Sequence, residues 1–234
     1  MALVSQTLPS RQLLCYSASM PTAMTFTSLQ DDLRAYLERG DTTDPTVFEQ
    51  LPKLINLAER RLGREVKILG TIAVVSSSMI SSSSVYAKPD RWRETISINI
   101  GTGDPANRRV TLTPRSYEFV RAVHPDPTVT GTPKYYADYQ YSHWLFGPTP
   151  NGAIPYEVIY HENPAYLEDA HQTNYWTDYT PDALLYASLL EATPFLKNDQ
   201  RLQVWEGLYN RSIAAINGED QRQIVDRSIV RREA

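Results

Sequence analysis

Apolar positions along this chain change their spacing twice, and the two changes divide it into three parts. Over residues 27–66 they fall at three- and four-residue steps: Leu29, Leu33, Tyr36 and Leu37, then Leu51, Leu54, Ile55, Ala58 and Leu62. Such steps place one face of a helix against a core. Ser28 stands where a side-chain N-cap is expected, Asp31 and Asp32 occupy the first turn, and Gly40 ends the first helix. Asp41-Thr42-Thr43-Asp44-Pro45 forms a turn into the second helix, which Pro52 is placed to kink and which ends near residues 63–66. Glu59, Arg60 and Arg61 fall towards the opposite face and read as a solvated helix surface.

Over residues 67–160 the period shortens to two, with turn residues at close intervals. Residues 68–75 read as a strand. The serine-rich run 76–84, broken by Met79-Ile80, reads as a flexible linker or as a polar-faced strand pair or long hairpin tip. In 94–100 Ile96, Ile98 and Ile100 point inward, with Thr95, Ser97 and Asn99 on the other face. Residues 109–113 make a short strand, 116–122 fit either a strand or a short helix, and 135–141, 144–146 and 156–160 complete a β-rich middle. Asn151-Gly152 signals a tight turn between the last two strands.

Helical spacing returns over residues 180–217. Thr180 is the expected N-cap, Pro181 occupies the first helical position, and Asp182 faces the positive end of the helix dipole. Leu185, Leu189, Ala192 and Leu196 form an apolar stripe that Pro194 should kink or fray, and Lys197-Asn198-Asp199 closes the helix and caps the next. Leu202, Trp205, Leu208, Tyr209, Ser212, Ile213 and Ile216 give the following helix a broad face, with Asn217-Gly218 as its stop. A hairpin of this kind cannot bury both faces alone. The predicted fold is α+β: a helical bundle from N- and C-terminal helix pairs (24–66 and 178–218), an inserted antiparallel β-rich region (67–177), and a C-terminal arm (219–234).

Composition narrows the function classes. A net charge of -4 argues against nucleic acid as the main partner, because phosphate-tracking surfaces are basic. Cys15 stands alone, so no internal disulfide framework exists. Fifteen tyrosines against five phenylalanines suit half-wet surfaces such as sheet faces and subunit interfaces. No stretch is long and apolar enough for a membrane span. Residues 1–23 lack a basic start and a continuous apolar run, and read as a disordered extension or an upstream start ahead of Met24.

Candidate chemistry is sparse. His124, His143, His161 and His171 are scattered, with no close pair of the H-x-x-x-H kind, so no metal site is expected. Glu162, Glu168 and Asp169 near His161 and His171 read as solvated loop charges. Gly101-Thr102-Gly103-Asp104 lacks the following helix and basic residue of a phosphate loop, and no G-x-S-x-G occurs. Tyr135, Tyr136, Tyr139, Tyr141, Trp144 and Phe146 fit either a stacking platform for sugars or bases, or, at alternating strand spacing, a core and interface. Neither an enzyme nor a cofactor is expected.

The terminal stretch 219–234 mixes Ile224, Val225, Ile229 and Val230 with Arg222, Arg227, Arg231 and Arg232. It reads equally as a frayed solvated tail and as a segment that orders on a partner, with aliphatic anchors and arginines on carboxylates.

A set of short motifs in a fixed order adds to this reading. They are Tyr86-Ala87-x-Pro89-x-x-Trp92, Ser116-Tyr117-Glu118-Phe119, Gly131-x-Pro133-x-Tyr135-Tyr136 and Gly147-Pro148-x-Pro150. Tyr160-x-x-x-Pro164-x-x-Leu167, Thr173-Asn174-x-Trp176 and Pro181-Asp182, followed by Leu184, Leu185, Tyr186, Ala187, Leu189, Glu191 and Ala192, complete it. From about Met24 to Asn217 the chain thus resembles the phage head-to-tail adaptors, in particular the tail tubular protein A branch. It departs from them at Lys88, Arg91, the serine run and the extension before Met24.

The resemblance implies a virion structural protein of the neck or tail, assembled in the host cytoplasm. It would form a homo-oligomeric ring, commonly of about twelve copies, beneath the portal protein. The ring joins the portal to a tail tube or nozzle protein and passes DNA through its channel without specific binding. The helices would form the ring body and the β-rich insertion would face tail components. The arm would dock on the portal, making Gln221, Arg222, Ile224, Val225, Arg227, Ile229, Val230, Arg231 and Arg232 the candidate portal-binding residues. The competing classes are a carbohydrate- or receptor-binding tail module and a small hydrolase.

Overall fold

The computed structural model describes residues 23–39, 45–104, 107–196 and 201–230. Most of the expected extension over 1–23, the helix end at Gly40, the turn before Pro45, the cap at Lys197-Asn198-Asp199 and the arm residues Arg231 and Arg232 lie outside the described residues. The fold is α+β.

Helix α1 (Phe26–Leu37) begins three residues earlier than its sequence suggests. Its N-cap is Thr25, whose hydroxyl accepts the Ser28 N–H at 3.1 Å while Ser28 Oγ accepts the Thr25 N–H at 2.8 Å. This reciprocal pair satisfies two backbone donors, where Ser28 alone as the cap would satisfy one. A single turn, α2 (Pro45–Phe48), leads into α3 (Leu51–Glu65).

A 3-10 turn at Leu69–Thr71 opens the β-rich part. Its strands are β1 (Ile72–Ser78), β2 (Val85–Ala87), β3 (Trp92–Ile100), β4 (Val110–Thr111) and β5 (Thr113–Pro114). Next come helix α4 (Tyr117–Val123), capped by the Ser116 hydroxyl, and strands β6 (Thr130–Gly131), β7 (Tyr135–Gln140), β8 (His143–Gly147), β9 (Thr149–Pro150) and β10 (Pro155–Glu162). The sheets run β1-β10-β3-β4 and β2-β8-β7-β5, with β6 and β9 as a separate pair. Pairing is antiparallel except in the short β5–β7 and β6–β9 pairs.

Both four-stranded sheets contribute to one aromatic core that includes Tyr86, Ile98, Tyr136, Trp144, Phe146 and Tyr160. Consecutive strands therefore change sheet repeatedly. Asn151-Gly152 does not close a hairpin: β8 and β10, on either side of it, belong to different sheets. The serine run is likewise divided, with Ser76, Ser77 and Ser78 inside edge strand β1 and Met79 buried just beyond it.

A β-bulge alters the expected phase of β3. Ser97 pairs with Ile159 and Thr95 with Tyr160, so Ile96 is the extra residue and is exposed, whereas Ile98 and Ile100 are buried. Thr95 occupies the inward position instead, and its hydroxyl accepts both the Trp92 indole N–H at 3.0 Å and the Trp144 indole N–H at 3.1 Å.

The chain then passes through α5 (Tyr175–Tyr179) into α6 (Pro181–Leu196) and α7 (Leu202–Val230). Helix α6 packs against α1, α3, α5 and α7. It consequently buries nearly every face, including Ala183, Leu184, Ala187 and Ser188 beside the expected Leu185, Leu189 and Ala192. The Ser188 and Thr193 hydroxyls donate to Leu184 O at 2.8 Å and Leu189 O at 3.0 Å, satisfying these buried groups inside the helix. Thr180 does not cap α6 with its side chain: its hydroxyl turns back to Trp176 O at 3.4 Å. Leu29, Leu33, Leu51, Ile55, Leu62, Leu184, Leu189, Trp205 and Tyr209 belong to one apolar cluster.

Helix α7 does not stop at Asn217-Gly218 but runs on to Val230. Glycine inside a helix costs about 1 kcal/mol against alanine, and it ends one only where the backbone turns left-handed. Among the described residues positive φ is confined to Gly101, Gly103, Glu38, Ser82 and Arg91.

Candidate functional site

The expected arm starts as a continuation of α7. Gln221 and Arg222 are exposed, and Arg222 Nε donates to Gly218 O at 3.1 Å, closing a side-chain bond along its own helix. Ile224, Val225, Arg227, Ile229 and Val230 lie on the helical backbone of the same element.

Where α7 leaves the apolar cluster, it is fastened to the start of the β-rich part. Trp205, Tyr209 and Ser212 are buried and Ile213 and Ile216 partly buried, a spacing that keeps one face on the core. The Tyr209 hydroxyl donates to Glu65 at 2.6 Å, and burial together with that carboxylate raises the tyrosine's pKa. Ser212 donates to Asp182 at 2.6 Å. Two turns further on, Asp220 Oδ1 accepts the Leu69 N–H at 2.8 Å. A groove of about 510 Å³ opens there, lined by Ile68, Gly70, Tyr175, Tyr179, Ile216 and Glu219 among others. Tyr175 and Tyr179 stack with ring centroids 4.9 Å apart, and a Cβ on Gly70 would run into the Tyr175 ring. Burial first, then Glu219 and Asp220, raises the pKa of Tyr175.

A second anchorage lies beneath α5. Glu59 is buried, not solvated: its carboxylate accepts the Asn174 Nδ2 at 2.5 Å and the Leu167 N–H at 3.1 Å. Burial pushes its pKa up to about 7, against the lowering effect of those two donors. Glu59 sits four residues after Ile55 and three before Leu62, on the border of the apolar stripe, and that spacing was the available sequence signal.

The aromatic run divides between core and surface. Tyr136, Trp144 and Phe146 are buried, Tyr135 is partly buried, and Tyr139 and Tyr141 are exposed. Tyr139 leans on Tyr117 at 5.7 Å and Tyr141 meets Trp92 edge-on at 5.9 Å, so the run presents no continuous flat platform. Of the two departures noted in the motifs, Lys88 lies 3.5 Å from the Trp92 ring centre and pairs with Asp138 at 2.7 Å, while Arg91 pairs with Glu162.

The histidines stay apart. His124 Nε2 is buried beside Tyr135 without a hydrogen-bond partner among the described residues, His143 Nδ1 meets Gln140 and Ser142, His161 Nδ1 meets Thr71, and the His171 backbone pairs with Glu168. Among the described residues no three His, Cys, Asp or Glu side chains gather as a metal site. No helix among them is long and apolar enough to cross a membrane. The Gly101–Asp104 loop closes on itself through Gly103 N–H to Asn107 O at 2.9 Å and Thr102 Oγ1 to Asp104 at 2.8 Å.

The molecule is thus a set of elements cross-tied by Glu59, Asn174 and Asp220, with a last helix that runs on to Val230. No curated protein matches the chain. A family model described as SU10 adaptor protein matches residues 24–232, nearly all of the described structure and most of the arm. The chain belongs to the SU10 adaptor protein family, a family of phage structural adaptors.

Proposed function

We propose that this protein is a head-to-tail adaptor of the tail tubular protein A type, a ring of about twelve copies between the portal protein and the tail tube or nozzle. DNA passes through its channel without specific binding, in keeping with a net charge of -4. Helices from 24–66 and 178–218 form the ring body, the β-rich 67–177 faces tail components, and 219–234 is the portal arm. The protein assembles on the portal in the host cytoplasm and remains in the neck of the virion.

The observation that carries this reading is the run of α7 beyond Asp220, whose carboxylate holds the Leu69 N–H at the start of the β-rich part. A helix that continues beyond that tie, with paired aliphatics and arginines in its sequence, suits docking into a groove on another protein. Asp220 also refines the boundary. Because it holds Leu69, a deletion that spares the body begins at Gln221.

Mass photometry of the purified chain, alone and mixed with the portal of the same phage, tests the reading. A monomer that joins the portal as a ring of many copies, and a 221–234 deletion that stays folded but no longer binds, are the expected results. A chain indifferent to the portal that instead binds glycans would replace the adaptor with a receptor-binding module.

A further inference from the structure

Between α3 and the β-rich part lies a cleft of about 330 Å³ with no carboxylate in its lining. Arg60 and Arg64 of α3 form one wall, and Arg93, Tyr141, Asn163 and Tyr166 face them. Gly63 keeps the space open, since a Cβ there would stand 2.8 Å from Asn163 Oδ1. A second recess of about 330 Å³ shares Tyr141, Asn163 and Tyr166 and extends the cleft past Lys88 and Trp92.

The cations here are not equivalent. The Arg93 guanidinium is engaged with the end of α3, donating to Val66 O at 2.8 Å and Arg64 O at 2.6 Å. Lys88 and Arg91 hold Asp138 and Glu162. Arg60 and Arg64, one helical turn apart and both exposed, form no ion pair among the described residues. Arg60 rests over the Tyr166 ring at 5.3 Å, and Tyr141 is 79% exposed. Two guanidinium groups that form no ion pair among the described residues, beside two accessible tyrosines in a chain of net charge -4, are a local reversal of the overall charge.

We infer that this cleft binds a short acidic segment of another protein, its carboxylates on Arg60 and Arg64 and an apolar side chain against Tyr141 and Tyr166. Arginine and tyrosine are the residues that concentrate binding energy at interfaces. The planar guanidinium is suited to bidentate carboxylate contact. Duplex DNA fits less well, because it requires positive charge spread along many phosphates rather than gathered in one small notch. The site is separate from the C-terminal arm and stands or falls independently of it.

Fluorescence anisotropy on the full chain tests it, with a fluorescein-labelled EELYEE peptide, its QQLYQQ counterpart and a labelled duplex of about 12 base pairs, at about 50 mM salt so that screening is low. The acidic peptide should saturate with Kd below about 1 mM. Its affinity should fall at least about tenfold in the Arg60→Ala/Arg64→Ala double variant and in the single charge reversal Arg64→Glu. Arg121→Ala, on α4, should bind as the parent does. Absence of saturable binding by the acidic peptide overturns the inference. So does an equal loss in Arg121→Ala, unaltered binding by both cleft variants, equal binding of the glutamine peptide, or tighter duplex binding that the double variant abolishes.

Discussion

The side-chain amide of Asn174 donates to the buried carboxylate of Glu59 at 2.5 Å, joining residues 115 positions apart in sequence. Asn174 uses the same amide nitrogen on Ala165 O at 2.8 Å, and its Oδ1 accepts the Trp176 N–H at 3.0 Å as the N-cap of α5. Glu59 in turn accepts Leu167 N–H. One carboxyl group on α3 therefore fixes the segment that returns from β10 and the start of the helix that follows it.

Glu59 gives the fold a pH dependence of defined sign. Burial raises its pKa from an ordinary 4.5 to about 7, so between these values the folded state holds more protons than the unfolded. The associated stability is fully present below the unfolded pKa and is lost as pH rises through about 7, to an extent on the order of 3 kcal/mol. The melting temperature of the parent should fall across that window, and Glu59→Gln, which keeps an acceptor oxygen without the charge, should remove that slope. Identical slopes in parent and variant would show that Glu59 does not titrate there.

Thr95 holds two indoles with one oxygen. Thr95→Val keeps the shape but leaves the N–H of fully buried Trp144 without an acceptor, at a cost of about 2 kcal/mol or more. Thr95→Ser retains the hydroxyl and should recover most of that in urea unfolding. If valine and serine were equally destabilising, packing of the threonine methyl rather than the shared hydrogen bond would be responsible.

The Asp220–Leu69 bond predicts a local effect. Asp220→Ala should accelerate hydrogen exchange at the Leu69 amide, with about 1–2 kcal/mol lost from a charge-assisted bond. Exchange within α3, held by its own core contacts, should not change. An unaltered Leu69 rate would mean that α7 is held in place there by the groove's apolar lining alone.

The helical stripes were legible because helical periodicity is local: Leu29 and Leu33, Leu51 and Ile55, Trp205 and Tyr209 are all buried as their spacing requires. What was not legible depended on neighbours distant in sequence. Nothing inside α6 says that four helices surround it, so an all-round buried helix read as a striped one. Hairpin logic failed at Asn151-Gly152 because β8 and β10 find their partners in different sheets. Gly218 resembled a stop because a glycine's cost is visible in sequence, while the contacts of Ile216 and Asp220 that keep the helix in place are not. The groove at the root of the arm is built from residues 68–70, 175–180 and 216–220, and no single stretch announces it.

The bulge in β3 supplies the sharpest separation between period and structure. Strict alternation makes Ile96 and Ile98 equivalent core residues, but the register shift at Thr95 and Ser97 leaves Ile96 44% exposed and Ile98 at 0%. Ile98→Ala removes three buried carbons next to Val158 in the sheet core, at a cost of about 3 kcal/mol. Ile96→Thr stays β-branched on a solvated position and should lie within about 0.5 kcal/mol of the parent. Paired urea titrations of the two variants decide between the readings. A loss at Ile96 approaching that at Ile98 would restore unbroken alternation and remove the bulge as the reason Thr95, rather than an isoleucine, faces the two tryptophans.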